Sequence, residues 1–153
     1  MALRLAALLV CPAVAIAACG RGDPPFDQAC AESAQAIERA LARAPGRVAL
    51  PGGTRLSRCV AAARSDSDLQ NAGATLTSAA DDLADRSLHG DARAPLELGY
   101  LIGAARAGAR HSAGIQDELV RHVELAGARV VGGAPPAARA ALARGIRAGE
   151  ARG

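Results

Sequence analysis

The sequence predicts an all-α protein, a small antiparallel bundle of about four to six helices that follows an apolar N-terminal leader and a short tether. Alanine, the residue with the highest helix propensity, is the commonest residue in the chain. Apolar residues recur at three- and four-residue spacing between Gly- and Pro-rich breaks, and no segment alternates as a half-buried strand does. With one Phe, one Tyr and no Trp, the core must be built from aliphatic side chains, among which Ala buries little area.

Residues 27–153 are predicted to form one helical domain with a basic C-terminal helix. The first helix is expected to begin at Asp27, a good N-terminal cap, and to end at Pro45-Gly46. Its buried stripe lies at helical spacing and consists of Cys30, Ala34, Ile37 and Leu41. A short extended link, RVALPGG, then leads to the second helix.

The second and third predicted helices are separated by a polar break, SDSD, at residues 65–68. Thr54 or Ser57 can cap the second helix. The acidic residues of the break suit the start of the third, because the helix dipole favours negative charge there. The apolar stripes are Leu56, Val60 and Ala63 in the second helix, and Leu69, Ala72, Leu76, Ala79 or Ala80, and Leu83 in the third.

The most apolar segment begins at Pro95, a residue suited to a first helical turn. Gly99 and Gly103 then stand one turn apart, a small-residue pattern that marks close helix contact in membranes. This apolar run is too short for a membrane span, and Glu97 and Arg106 interrupt it. We therefore expect a central helix of a soluble domain, pressed against the backbone of a neighbouring helix.

Two further helices complete the predicted bundle. The first continues from residue 115 to Gly132-Gly133, with a bend expected at Gly114. The last opens at Pro135-Pro136 and carries four arginines that are predicted to contact a membrane or a polymer, namely Arg139, Arg144, Arg147 and Arg152.

Charge is distributed unevenly along the chain. The formal net charge is +3, and from Arg129 onward five arginines are balanced by Glu150 alone. We expect the last helix to contact anionic lipid or an anionic polymer of the cell envelope. No aromatic residue lies among these arginines, so stacking on bases is not available and nucleic acid is not an expected partner.

The N-terminus has the layout of a secretory signal, predicted over residues 1–18. Arg4 precedes an uncharged apolar run that is shorter than the roughly 20 residues needed to span a bilayer core. The run ends in Ile16-Ala17-Ala18-Cys19, an aliphatic residue, two small residues and a cysteine. This ending resembles the lipobox of bacterial prolipoproteins.

The resemblance covers residues 1–19 only and implies a membrane anchor. In that family a diacylglycerol is attached to the cysteine thiol, cleavage follows just before this cysteine, and the new N-terminus is usually acylated. Carried over to this chain, Cys19 is the lipid-attachment site and residues 19–26 form the lipidated tether. The protein is then expected to be exported and held at the outer face of the plasma membrane, or in the outer membrane where the host has one.

Two further cysteines belong to the predicted mature domain. In an exported chain Cys30 and Cys59 most simply pair with each other. Closing a loop of this length stabilises a fold by about 3.5 kcal/mol in the chain-entropy model. The rival interpretation is metal binding by the two thiolates, but no nearby His or third Cys completes such a site.

The sequence contains no recognisable catalytic or cofactor-binding motif. Lys is absent, there is no Gly-x-Ser-x-Gly elbow, and no Gly-rich loop is followed by Lys-Ser or Lys-Thr. His111, Glu118 and His122 are weak metal candidates, because an unbroken helix would present them on one face. We therefore expect no enzyme activity and no cofactor.

These observations predict a membrane-anchored lipoprotein with a non-catalytic interaction or structural role in the cell envelope. Its expected partners are the membrane, through the lipid, and an envelope protein or anionic polymer. The alternative is a lipoprotein that binds a small ligand or a metal in a pocket between helices. The scarcity of aromatic residues favours the first function, because ligand pockets are commonly lined by aromatic side chains.

Overall fold

The computed structural model describes residues 25–110, 112, 114 and 116–153. This part of the chain is helical and contains no strand. The six α-helices are Ala34–Leu41 (α1), Leu56–Ala62 (α2), Asp66–Leu88 (α3), Ala94–Ala109 (α4), Asp117–Gly133 (α5) and Pro136–Arg152 (α6). Short 3₁₀ helices at Gln28–Ala31 and Pro51–Gly53 precede α1 and α2. The predicted all-helical bundle is confirmed.

The first helix is shorter than the sequence predicts. Ser33 adopts an extended conformation and its side chain caps α1, accepting a hydrogen bond from the Ala36 N–H at 3.1 Å. Asp27 instead caps the preceding 3₁₀ helix through the Ala29 N–H at 3.0 Å. A serine at this position competes well as a helix cap, and so the chain breaks there. The predicted stripe is nevertheless buried at all four positions.

Helices α3 and α5 run parallel to each other. Gly73, in the first half of α3, lies beside Leu119 near the start of α5. Farther along both helices, the Asp81 carboxylate pairs with the Arg129 guanidinium at 3.0 Å.

Helix α4 runs in the opposite direction to α5. Its Ile102 side chain packs against Gly127. Its Arg106, one turn later, pairs with Glu124, which comes earlier in α5, at 2.7 Å. Consecutive long helices therefore alternate in direction, as in an up-and-down bundle.

Helices α4 and α6 form the most extensive contact between any two elements that the structure describes. Gly99 of α4 lies opposite Gly145 of α6, and Gly103 lies opposite Gly149. The order of these pairs shows that α4 and α6 run parallel. All four glycines are buried.

The two backbones approach so closely that no side chain fits between them. A Cβ added to Gly103 would lie 2.1 Å from the Ile146 carbonyl oxygen. A Cβ added to Gly149 would lie 2.1 Å from the Tyr100 carbonyl oxygen. The expectation that the central helix presses against a neighbour's backbone is confirmed, and the neighbour is α6.

Buried residues of all six helices join in one hydrophobic core. Tyr100 is its largest side chain, and most of the rest are Leu, Val and Ala. Helix α4 is buried along most of its length and occupies the centre. No helix within the described residues combines the length and apolar character needed to cross a bilayer.

A disulfide joins Cys30 in the first 3₁₀ helix to Cys59 in α2. The Cα atoms are 5.4 Å apart and both residues are buried. The predicted pairing is therefore present. It attaches the N-terminal turn to α2, and the hydroxyl of Thr54 reinforces this by donating to the Asp27 carboxylate.

We expect Gly103→Ala to destabilise the protein by about 2–3 kcal/mol, because the new methyl group would overlap the α6 backbone and force the helices apart. Gly132→Ala is the matched control. An added Cβ at Gly132 meets no atom within 4 Å, so the higher helix propensity of Ala should leave stability unchanged or raise it by up to about 1 kcal/mol. Urea unfolding with the disulfide intact measures both changes. Equal effects of the two variants would show that close packing at Gly103 is not required.

Candidate functional site

Two of the predicted site residues lie outside the described part of the chain. These are Cys19, the predicted lipid-attachment site, and His111, the first of the weak metal candidates. The predicted leader and most of the tether also lie outside it, because description begins at residue 25.

The single helical face that would have presented the metal candidates does not form. Helix α4 ends at Ala109 and α5 begins at Asp117. Gly114, between them, adopts a φ of +93°, a left-handed conformation that interrupts a helix. The bend predicted at Gly114 is thus a complete break.

Glu118 and His122 do lie together on α5, at 3.4 Å between His122 Nε2 and the carboxylate. However, Arg121 donates two hydrogen bonds to that carboxylate, at 2.6 and 2.9 Å. This guanidinium holds the pKa of Glu118 below its ordinary value and places a positive charge where a cation would bind. Among the residues that the structure describes, no group of three His, Cys, Asp or Glu is arranged to hold a metal ion.

The four arginines of α6 do not form one surface. Helical periodicity places Arg139, Arg144 and Arg147 on the solvent-facing half of α6, where all three are exposed. Arg152 lies at the end of α6, one turn after the buried Gly149, on the side of the helix that packs against the core. Its Nη1 donates to the Pro45 carbonyl oxygen at 2.8 Å. This last arginine therefore lies against the segment between α1 and α2.

Arg152 meets three other arginines at that position. Arg47 from the extended link and Arg55 and Arg58 from the start of α2 line the same open cleft of about 730 Å³. We call these four residues the arginine cleft. The remaining lining residues are small, namely Gly46, Gly53 and Ala151.

Contacts from three distant segments hold the arginine cleft in place. The Ser57 hydroxyl donates to the Gly153 carbonyl oxygen and so attaches α2 to the end of α6. The disulfide at Cys59, two residues later, fixes α2 to the N-terminal turn. The walls are therefore tied both to the core and to one another.

The phenol of Tyr100, a fully buried core residue, is subject to the charge of two arginines of the cleft. Burial raises the pKa of its phenol, whereas the Val48 backbone and the positive charges of Arg152 and Arg55 oppose that rise. Both arginines line the arginine cleft, although their positions in the sequence are far apart.

A second concavity lies between α3 and α5, and we call it the α3–α5 groove. It is open to solvent, has a volume of about 830 Å³, and includes Leu69, Gly73, Ala74 and Leu119 in its apolar lining. Polar side chains at its edges include Asp66, Asp81, Asp82, Glu118 and His122.

The acidic face of α3 is partly neutralised by α5. Arg129 pairs with both Asp81 and Asp85. Arg129 therefore supports the packing of α3 on α5 and does not extend the basic surface of α6, with which the charge count had grouped it.

Sequence reasoning missed the arginine cleft, although a signal for it exists. Between Arg39 and Arg64 the chain carries six arginines and no acidic residue. The net charge of the chain before Arg129 hides this basic segment, because many acidic residues follow it. Only the packing of the helices brings Arg152 next to this segment, so the sequence does not indicate that contact.

The chain matches no protein-family model, and no curated protein or solved structure is significantly similar to it. The chemistry of the candidate sites therefore follows from the charges and contacts of this chain alone. The arginine cleft is suited to anions, and the α3–α5 groove is suited to an apolar group with a polar or cationic end.

We expect the Glu118 carboxyl to titrate below the ordinary range of glutamate and Arg121→Ala to move its pKa back up, because the hydrogen bonds from Arg121 are lost. A ¹³C NMR pH titration of the carboxyl carbons measures this shift. Arg139→Ala, which removes the same charge from another helix, should leave the Glu118 pKa unchanged. An unaltered pKa in Arg121→Ala would show that the pair does not persist in solution.

Proposed function

We propose that this protein is an exported bacterial lipoprotein, anchored through a diacylglycerol on Cys19, whose helical domain acts as a non-catalytic interaction module of the cell envelope. The observation that carries the proposal is the sequence Ile16-Ala17-Ala18-Cys19 at the end of a short apolar leader. The basic start, the length of the apolar run and the small residues before the cysteine all agree with lipoprotein processing.

The disulfide supports the same compartment. Disulfides persist in oxidising environments such as the bacterial cell surface and are rare in the cytosol. Cys30 and Cys59 are both used in one buried bond. The bond adds to the stability of an Ala-rich core, in which each Ala contributes little buried area.

The interaction role is favoured by the surface of the domain. A lipid anchor raises the effective concentration of the domain against anything on the same membrane, so that a weak contact is sufficient. The exposed Arg139, Arg144 and Arg147 present positive charge to such partners, with about 1 kcal/mol for each arginine near anionic lipid. Envelope proteins and anionic polymers are the partners that this arrangement fits.

Expression of the full gene in a bacterium tests the anchor. We expect the wild-type protein in the membrane fraction, with a mature N-terminus at Cys19 and a mass increased by the attached lipid. Cys19→Ala should be absent from the membrane fraction or should retain its unprocessed leader, because the acceptor thiol is missing. Cys11→Ala is the matched control and should behave as wild type.

A wild-type protein that is wholly soluble, or one whose mature terminus lies elsewhere, would contradict the anchor. Turnover of an envelope substrate that is lost on changing one residue would contradict the non-catalytic role.

A second candidate function is small-ligand binding, and the α3–α5 groove favours it. Its volume of about 830 Å³ lies within the range of small-molecule sites. Leu69 and Leu119 supply apolar surface, and Asp66 and Asp82 at the edge favour a cationic end. An amphiphile with an apolar body and a positive charge is the ligand class that matches both features.

Titration with dodecyltrimethylammonium below its micelle concentration tests the groove. If the groove is a ligand site, amide NMR shifts should cluster around Gly73 and Leu119, and Gly73→Leu should abolish them by filling the space. Gly132→Leu, at an open position on α5, is the control. Shifts spread over the whole surface, or unchanged in Gly73→Leu, would contradict this function.

A further inference from the structure

We infer that the arginine cleft is a binding site for a phosphate-bearing anion with at least two negative charges. The inference goes beyond the lipoprotein function, since it concerns a site of the folded domain and does not require the lipid anchor. It also differs from contact through the four α6 arginines that the sequence predicts to touch a membrane or a polymer, since only Arg152 belongs to both sets.

The arginine cleft carries an excess of positive charge. Four guanidinium groups and no acidic side chain line it. Asp27 and Arg58 together line a neighbouring cleft, and the pKa of Asp27 is lowered chiefly by the hydrogen bond from Thr54 and also by the charge of Arg58. Asp27 is already engaged by the Thr54 hydroxyl and the Ala29 N–H. Like charges held together in this way favour a multivalent anion as their counter-ion.

The arginines of the cleft lack the carboxylate partners that other arginines of this protein have. Arg86, Arg106 and Arg129 each pair with two or more carboxylates. By contrast, Arg47, Arg55 and Arg58 make no ion pair with a described acid, and the hydrogen bond found for Arg152 goes to a backbone carbonyl. Their guanidinium groups retain donors for an external oxyanion, which arginine binds with two parallel hydrogen bonds.

The shape of the cleft leaves room for such an anion. Gly46, Gly53 and Ala151 contribute almost no side-chain volume between the arginines. A Cβ added to Gly53 would meet no atom within 4 Å, so the space beside it is open. The backbone that carries Arg55 and Arg58 is tied to α6 by the Ser57–Gly153 hydrogen bond. A site supported in this way loses less conformational entropy on binding than arginines on a mobile segment would.

The exposed arginines of α6 are a poorer site for a compact anion. Arg139, Arg144 and Arg147 project from a convex helix surface over more than two turns. They can contribute to long-range attraction, but a single phosphate cannot reach all three. This difference makes them the matched control.

Isothermal titration calorimetry of the full chain in neutral detergent, with inorganic pyrophosphate, tests the inference. We expect saturable binding that weakens as salt is raised. Arg55→Gln/Arg58→Gln should weaken it at least tenfold, because two forked donors are lost. Arg139→Gln/Arg144→Gln removes the same charge from the convex face and should change affinity less than twofold. Far-UV circular dichroism and a free-thiol count confirm that each variant keeps its fold and disulfide.

A charge-preserving variant distinguishes a site that depends on guanidinium geometry from non-specific electrostatic attraction. Arg55→Lys/Arg58→Lys keeps both positive charges but loses the planar fork, so its affinity should fall between those of wild type and the Gln variant. No binding of pyrophosphate at millimolar concentration would overturn the inference, and so would equal losses in the cleft and control variants.

Vesicles distinguish the source of the phosphate. If the anion is a lipid headgroup, phosphatidylglycerol vesicles should bind, pyrophosphate should displace them, and the cleft variant should lose both interactions. If it is a soluble phosphate, the cleft variant should lose pyrophosphate binding alone. Cys19→Ala should leave pyrophosphate affinity unchanged, so failure of the anchor and failure of the anion site give different results.

Discussion

The backbone contact between α4 and α6 is the constraint on which the rest of the structure depends. The sequence supplies few large side chains, so a bundle with ordinary helix spacing would be poorly filled. Glycine at facing positions removes the need for filling, because backbone atoms of the two helices meet directly, as at Gly103 and the Ile146 carbonyl oxygen. Dispersion contacts along this seam replace those that aromatic residues make in other cores. The remaining helices pack around α4, and the outer face of α6 stays exposed.

The same contact positions the functional surface. Gly149 fixes the register of α6 against Tyr100, and Arg152 lies just one turn farther along α6. Gly153 contacts Ala104 and accepts from the Ser57 hydroxyl, so the end of α6 is held against both α4 and α2. A shift of α6 by one turn along α4 would carry Arg152 away from the arginine cleft. The anion site that we propose is thus a consequence of helix register as well as of local sequence.

Much of the fold was predictable, because apolar spacing and helix-breaking residues are local signals. Caps were less reliable: the predicted cap at Thr54 or Ser57 was wrong, since α2 begins after Arg55 with no side-chain cap. The pattern at Gly99 and Gly103 correctly indicated a close backbone contact. The partner was missed, since Gly145 and Gly149 lie in a basic, Ala-rich helix with only a weak apolar stripe. The spacing of glycines in one helix shows that another backbone can come close to it, but it does not identify the neighbouring helix. The cap at Ser33 was overlooked for another reason. The 3₁₀ turn before Ser33 and the α-helix after it bury residues in the same core, so the apolar stripe continues across the break and hides it.

Native-state hydrogen exchange tests the central claim most directly, because it reports the stability of each helix separately. If the α4–α6 contact holds the structure together, the amides of residues 100–104 and 146–150 should exchange only through global unfolding. Their protection should then fall in parallel as denaturant is added. Exchange of the α6 amides at a much lower free energy than those of α4 would contradict the account, since it would show that α6 detaches while the remaining helices stay folded.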